Sequence, residues 1–471
     1  MVETKVYESF EECESAVRPF LQRATANPFL QWDWLQECWR MSGASRRGQL
    51  MLIAVSRGGE LVSLAPLVLA KSHLGVRRAE FVGEFWSDRN GFAGETSPEV
   101  LEAVTGAVRR LAPRAFFRFT DLVDAEPLHA VVKDADCFAE TRFVHLYPYP
   151  YMELAFHGQA KVSKSHKKFL QRVRSLRERV SALGELSSTV LDFDRQRSFA
   201  RTLLPHLLAL HHLRHQGTMN TWCRPHGVQF LRELMENAET TQMLAFISSI
   251  DGIPVGFDMG FREGDTFSLY LTAFHPAFHQ FGLGHVTRLL AFQNCAEIGI
   301  NLYDFSKGAN QAKRLWMTGQ HAEDQFFCAL HGSPLARLAM RAEWLASRAK
   351  VRLRDQGVNR RVRCFLGRFI EPFTDQSDLH LAGVPIPRES AGEARPIRLR
   401  DVIDLPVPAL ASVAEFVFSH GRGSDIMCRR LPGSVQLTAG KDELIVPVRD
   451  GAKKAAVVEE AAFGARGMAR S

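Results

Sequence analysis

MLAFIS (Met243–Ser248), VGFDMGF (Val255–Phe261) and FSLYLTAF (Phe267–Phe274), followed by HQFGLG (His279–Gly284), decide how this chain folds. Asp251-Gly252 and Glu263-Gly264-Asp265 are turn signals between the three apolar runs, so the first two strands form a hairpin and the third continues the meander. After Gly284 the apolar positions Val286, Leu289, Leu290 and Phe292 recur at helical spacing, and a helix is expected to begin close to Gly284. Leu302–Phe305 (LYDF) then reads as another short strand. A strand therefore points into a helix start, where unpaired N–H groups and the helix dipole suit a phosphate. Glycines at 282 and 284 leave room for an anion to approach the main chain. By itself, such a bend is equally the mark of an ordinary strand-to-helix turn.

The order of these elements, with His279-x-x-Gly282-x-Gly284 at the bend, resembles the acetyl-CoA binding core of the GNAT acyltransferases. Tyr303-Asp304-Phe305-Ser306-Lys307-Gly308 and Lys313-Arg314-Leu315-Trp316 are similar to a narrower group. These are the tandem GNAT-like proteins associated with bacterial cellulose and exopolysaccharide synthesis, relatives of the Fem aminoacyl transferases of peptidoglycan. Pro28–Leu35 (PFLQWDWL) and Leu210-His211-x-x-Arg214 add to the resemblance, which spans roughly residues 27 to 350. Three positions depart from the family pattern: His279 replaces the leading Gln or Arg of the bend, His275 an acidic residue, and Gln311-Ala312 an acidic-Tyr pair.

The resemblance implies an α+β fold of two tandem GNAT-like units, with mixed, mostly antiparallel sheets flanked by helices. Expected boundaries are 1–150 for a degenerate first unit and 151–370 for an acyltransferase unit. The latter holds a basic helix at 161–183 and a second at 333–368, and residues 371–471 form a partly disordered extension. Leu50–Ser56, the turn Arg57-Gly58-Gly59-Glu60 and Leu61–Leu69 parallel the hairpin of the second unit. This weak repeat supports a duplication. No Gly-x-Gly bend follows Phe81–Phe85, which runs into Trp86-Ser87-Asp88-Arg89-Asn90-Gly91, so the first copy is expected to shape the acceptor cleft and not to bind the donor. Tyr147-Pro148-Tyr149-Pro150-Tyr151 reads as an extended connector.

With 471 residues, 46% hydrophobic and 24% charged, the chain has the composition of a globular protein of two or three domains. No apolar run approaches the ~18–20 residues that cross a bilayer, and the acidic amino terminus lacks an apolar signal core. A cytoplasmic location is expected, possible contact with the inner membrane face included. Eight scattered cysteines suit reduced thiols and argue against structural zinc. The net charge of +7 is concentrated: Lys161 to Arg179 holds eight basic residues against one acid, and Arg341 to Arg368 nine against two. Each segment reads as a solvated amphipathic face or as a site for a lipid phosphate, a membrane surface or tRNA.

Acyl transfer needs a neutral nucleophile, a proton acceptor and donors for the developing oxyanion. By resemblance, acyl-CoA is the co-substrate, and Phe281, Gly282, Leu283, Gly284 and His285 hold it through the bend, with the strand Phe267–Phe274 forming one side of a split that receives the thioester. Candidates for the proton step are His211, Asp304 and Lys313; each also has a plain structural reading, as a packed histidine, a paired carboxylate and a helix cap. Arg214, Lys307 and Trp316 are candidates for the acceptor, a sugar or lipid-linked glycan. Lys307 could equally pair with Asp304, and Trp316 and Trp222 could be core. His211 and His215 stand four apart, but without nearby Glu or Cys no metal is expected. A charged-tRNA donor and an inactive scaffold in polysaccharide synthesis are the competing readings, nucleic acid being the less expected partner.

Overall fold

The computed structural model describes residues 2–41, 48–84, 86–154, 164–215, 225–237, 242–356 and, further on, 395–396, 399, 402–403, 405, 407–420, 426–431 and 434–447. Trp222, residues 161–163 and 357–368 of the two basic segments, and the last twenty residues lie outside them.

The first copy comprises β1 (Val2–Tyr7), α1 (Glu14–Ala24), α2 (Trp32–Met41), β2 (Gln49–Arg57), β3 (Glu60–Lys71) and β4 (Arg77–Phe81). It continues with β5 (Ala93–Gly94), α3 (Pro98–Leu111), β6 (Phe116–Val123), α4 (Pro127–Lys133) and β7 (Phe138–Glu153). After α5 (Lys164–Val180) the same order returns: β8 (Leu186–Asp192), α6 (Arg197–Arg214), α7 (Pro225–Asn237), β9 (Met243–Ile250), β10 (Ile253–Glu263) and β11 (Thr266–Phe274). Then come α8 (Leu283–Glu297), β12 (Leu302–Asp304), α9 (Gln311–Trp316) and β13 (Gly319–Leu330). The repeat is complete in the fold, beginning at β1, although its sequence signature is confined to the hairpins.

The two copies share one mixed sheet, ordered β1-β2-β3-β4-β6-β13-β7-β12-β11-β10-β9-β8, with helices on its faces. The last strand of each copy crosses to the other half. β13 pairs with β6, and β7 pairs with β12, while β7 and β13 lie antiparallel to each other. β7 runs through position 150, so the expected connector at Tyr147–Tyr151 is an extended segment as read, but one paired into the sheet centre. Its prolines are tolerated there for a geometric reason. The Pro148 and Pro150 carbonyls accept from the amides of Gly308 and Phe305, so both prolines face the side where β12 has ended and no ladder donor is missing.

Large side chains fill both layers: Trp32, Trp34 and Phe29 join Phe230, Phe257 and Phe261 in one cluster that spans the two copies. Trp34 meets Phe261 edge to face at 5.5 Å and Phe230 at 5.1 Å. Beyond β13, α10 (Pro334–Asp355) packs on β13 and β7. The carboxyl-terminal part forms α11 (Val407–His420) and a sheet of β14 (Arg395–Pro396), β15 (Met427–Leu431), β16 (Ser434–Ala439) and β17 (Asp442–Pro447). α11 covers the apolar run around Leu410–Val417, and Gly440-Lys441 turns β16 into β17. Leu399, Val413 and Val417 pack in one cluster with Phe278 and Leu283, so this part leans on the turn that leads into α8.

Candidate active site

β11 and β12 are parallel neighbours only over Thr266–Ser268 and Leu302–Asp304. β11 continues to Phe274, but the chain after Asp304 turns away. Asp304 Oδ1 accepts from the Ser306 amide at 2.7 Å, Ser306 has a φ of 57°, and its hydroxyl donates to the Leu269 carbonyl at 2.5 Å. Past that point β11 and β12 are no longer paired, and this separation is the split. Against β10, Met259 pairs with Leu271 and Gly260 with Leu269, which leaves Tyr270 as an extra residue and makes a bulge at the foot of the split. Gly260 is required opposite it, because a Cβ there would lie 2.0 Å from the Ser268 carbonyl oxygen. Past the bulge, alternation turns the main chain of Thr272 toward the split, and its carbonyl accepts from Arg214 Nη1 at 3.1 Å.

Cations gather around this opening. Arg288 of α8 is neutralised by Asp258, its Nε 2.7 Å from Oδ2, and the Tyr303 hydroxyl donates to the same carboxylate at 2.9 Å. Arg214 of α6 lies 4.4 Å from the Phe274 ring and makes no ion pair among the described residues. Burial and the neighbouring Arg288 pull it below the usual guanidinium range. Lys313 Nζ donates to the Lys307 carbonyl at 2.7 Å, and burial pushes its ammonium down to about 8 against the attraction of Asp88. A lysine there is partly neutral at working pH. Asp304 is pushed up to about 6 by burial, with Arg89 opposing.

Beneath the split, the first copy meets the second through charge. Lys307 Nζ sits 2.8 Å from Asp121 Oδ2 and 3.8 Å from Asp88, and donates to the Ser87 carbonyl at 2.7 Å. Arg89 pairs with Glu263 and Glu126. Glu323 is fully buried, and burial together with Asp121 raises it well above the carboxylate range, while Asp121 pairs with Lys307. The Trp86–Asn90 loop thus forms a wall of the second copy's site.

The bend before α8 is tighter than the sequence reading required. Gly282 adopts a left-handed φ of 70°, and a Cβ there would meet Leu176 of α5 at 2.7 Å; at Gly284 it would meet the Phe274 ring at 2.7 Å. The Gly282 amide bonds the His279 carbonyl at 3.1 Å and the His285 amide bonds the Gly282 carbonyl at 2.8 Å. Of the amides expected to hold a pyrophosphate, those of Leu283 and Gly284 are left at the helix start, and Leu176 lies against the preceding Gly282. Phe281 packs beside the α11 cluster.

Several expected roles change with these contacts. Trp316 is 2% exposed and donates to His285 Nδ1 at 3.2 Å, so it is core and has no ring face for an acceptor. His211 is buried, and burial with His215 beside it lowers it to about 3, well below the usual imidazole range. Lys307 pairs with Asp121 and not with Asp304. Asp304, Lys313 and Arg214 do converge on the split. Asp88, Arg89, Asp121, Asp258, Arg288 and Glu323 were missed; an aspartate inside the otherwise apolar run around Asp258 was the one local signal. No group of His, Cys, Asp and Glu able to hold a metal occurs among the described residues.

Residues 167–314, which contain the split, the bend and Lys313, match the family described as acetyltransferase (GNAT) domain. Over this stretch the chain is similar to GNAT-type acetyltransferase domains. No curated protein matches it significantly. Solved structures similar to it include the C-terminal domain of a putative lysylphosphatidylglycerol synthetase from Agrobacterium fabrum, 13% identical over 71% of this chain and 94% of that one, with a TM-score of 0.45. FemX is 13% identical over 72% and 100%, TM-score 0.45. A tandem GNAT protein from the clavulanic acid biosynthesis pathway is 11% identical over 69% and 98%, TM-score 0.39. Likeness at this level fixes neither substrate nor reaction.

Proposed function

We propose that the second copy transfers an acyl group, acetyl being the expected one, from acyl-CoA to an amine or hydroxyl of a sugar or cell-surface polymer precursor. The observation that carries this reading is the placement of Lys313, lowered to about 8, beside a split whose foot is bulged at Tyr270. The amides of Tyr270 and Thr272 serve as donors to the developing oxyanion. Neutral Lys313 takes the proton of the attacking amine or hydroxyl as the new C–N or C–O bond forms, and returns it to the thiolate as the C–S bond breaks. Arg214, lacking an acidic partner among the described residues, and the amides of Leu283 and Gly284 suit the donor's phosphates. The loop Trp86–Asn90 borders the acceptor. The acceptor class itself comes from the sequence resemblance.

One contact favours a second donor, a charged tRNA: Leu176 covers Gly282, and the same helix carries Lys167, Lys168, Arg172, Arg174, Arg177 and Arg179. Calorimetry decides between them. Under the first reading acetyl-CoA binds the wild type, Leu176→Ala binds it at least as tightly, and Arg214→Ala weakens it by about tenfold, the scale of one charge-assisted hydrogen bond. Silence toward acetyl-CoA in both the wild type and Leu176→Ala, with salt-sensitive tRNA binding, would assign the tRNA donor instead.

A further inference from the structure

We propose that the exposed face of α10 is a docking surface for an anionic lipid bilayer. The helix buries Ala336, Ala339, Met340 and Glu343 against the sheet. On its other side Leu335, Leu338, Leu345 and Leu353 are 52%, 62%, 56% and 46% exposed. Their spacing, with exposed Ala342 and Ala349 between them, draws one continuous apolar stripe along the helix. Single exposed leucines are ordinary; four in register on one helix are a surface with an absent partner.

Charge identifies that partner. Arg348, Lys350 and Arg352 are exposed beside the stripe. Of the helix's two acids, Glu343 is buried and held by Arg78 at 2.7 Å, and exposed Asp355, at the carboxyl end, is bonded to Arg354. A second copy of this chain would set cations against cations, whereas an acidic headgroup layer matches both stripe and flanks. No helix among the described residues is long and apolar enough to cross a membrane, so α10 lies along the surface. Its carboxyl end adjoins the site: Arg354 stacks 4.1 Å from the Tyr147 ring, and that ring lies 3.8 Å from where a Cβ of Gly308 would stand. Docking through α10 would place the turn at Gly308 near the lipid headgroups.

The test is co-sedimentation of the full chain with vesicles of phosphatidylglycerol mixed with phosphatidylcholine, against phosphatidylcholine alone. Binding should be at least about tenfold stronger to the anionic vesicles and should fade with added salt. Leu338→Glu/Leu345→Glu should lose about tenfold or more with an unchanged melting curve, since both side chains are exposed. Removing Arg348, Lys350 and Arg352 as glutamines should weaken binding by roughly fivefold per charge. Equal or absent binding to both vesicle types, or a leucine variant that sediments like the wild type, overturns the proposal. So does a dimer seen by light scattering that the leucine variant abolishes without any vesicle binding, which would assign the face to a second copy.

Discussion

Replacing Lys307 with methionine should cripple the junction between the copies in a way that pH can repair. Its ammonium lies 2.8 Å from Asp121 and 3.8 Å from Asp88. At an effective dielectric near 20, those separations correspond to about 6 and 4 kcal/mol of attraction, most of it offset by desolvation of all three groups. Removing the cation leaves the carboxylates buried and unopposed, and the expected loss is about 3–5 kcal/mol near pH 7. Burial already raises Asp88 and Asp121 while Lys307 holds them down, so in Lys307→Met both rise further. Their folded-state values then exceed the unfolded ones, and the folded variant binds more protons than the unfolded chain. Stability therefore returns as pH falls, and the deficit should shrink between about pH 7 and pH 5. Denaturant melts at both pH values measure this, with Lys307→Met/Asp121→Asn expected to recover at least half of the loss. A deficit below about 1 kcal/mol, or one that does not change with pH, would refute the reading of Lys307 as the electrostatic pin of the two copies.

Three further outcomes follow from the split. Transfer should rise with pH through about 8 as Lys313 deprotonates, and Lys313→Ala should lower kcat by about 10²- to 10⁴-fold and remove that limb, as stopped-time assays across pH would show. Asp304→Asn keeps the bond to the Ser306 amide but sheds a charge that burial disfavours. It should melt higher than the wild type near pH 7 by about 1–3 kcal/mol, with the advantage shrinking as pH falls below about 6 and gone near pH 4, where Asp304 is protonated in the folded and the unfolded chain alike. Gly260→Ala forces a Cβ into the Ser268 carbonyl and should cost about 1–3 kcal/mol in a denaturant melt, with a loss of transfer larger than that of unfolding alone, because the bulge at Tyr270 must move.

The legible part of this protein was whatever neighbours in sequence could settle. The β9–β10 hairpin, the strand β11, the start of α8 next to Gly284 and the α10 helix were each written in periodicity and turn residues, which act over a few positions. The amphipathic basic helices were likewise local. The first turn of the first copy was less visible, since β1 is short and half-exposed and α1 carries a proline at 19. Among site residues, Asp304 stood out because a charge inside an apolar run is unusual, whereas Lys313 and Arg214 were named through the family resemblance. For Trp316 and His211 the sequence left core and site readings open, because it gives the residue type and not its burial, and both side chains are buried.

Sequence alone determined that two α+β halves recur and that a glycine bend follows β11, since those depend on side-chain alternation and on backbone freedom at single residues. Tertiary structure alone decided that β7 and β13 trade places, that Asp121 and Asp88 come to Lys307, and that Leu176 closes over Gly282. Each of these joins segments about a hundred or more positions apart, and no local propensity records which distant strand edge or charge a segment will meet; that choice is made only when the sheet assembles and buried groups must find partners.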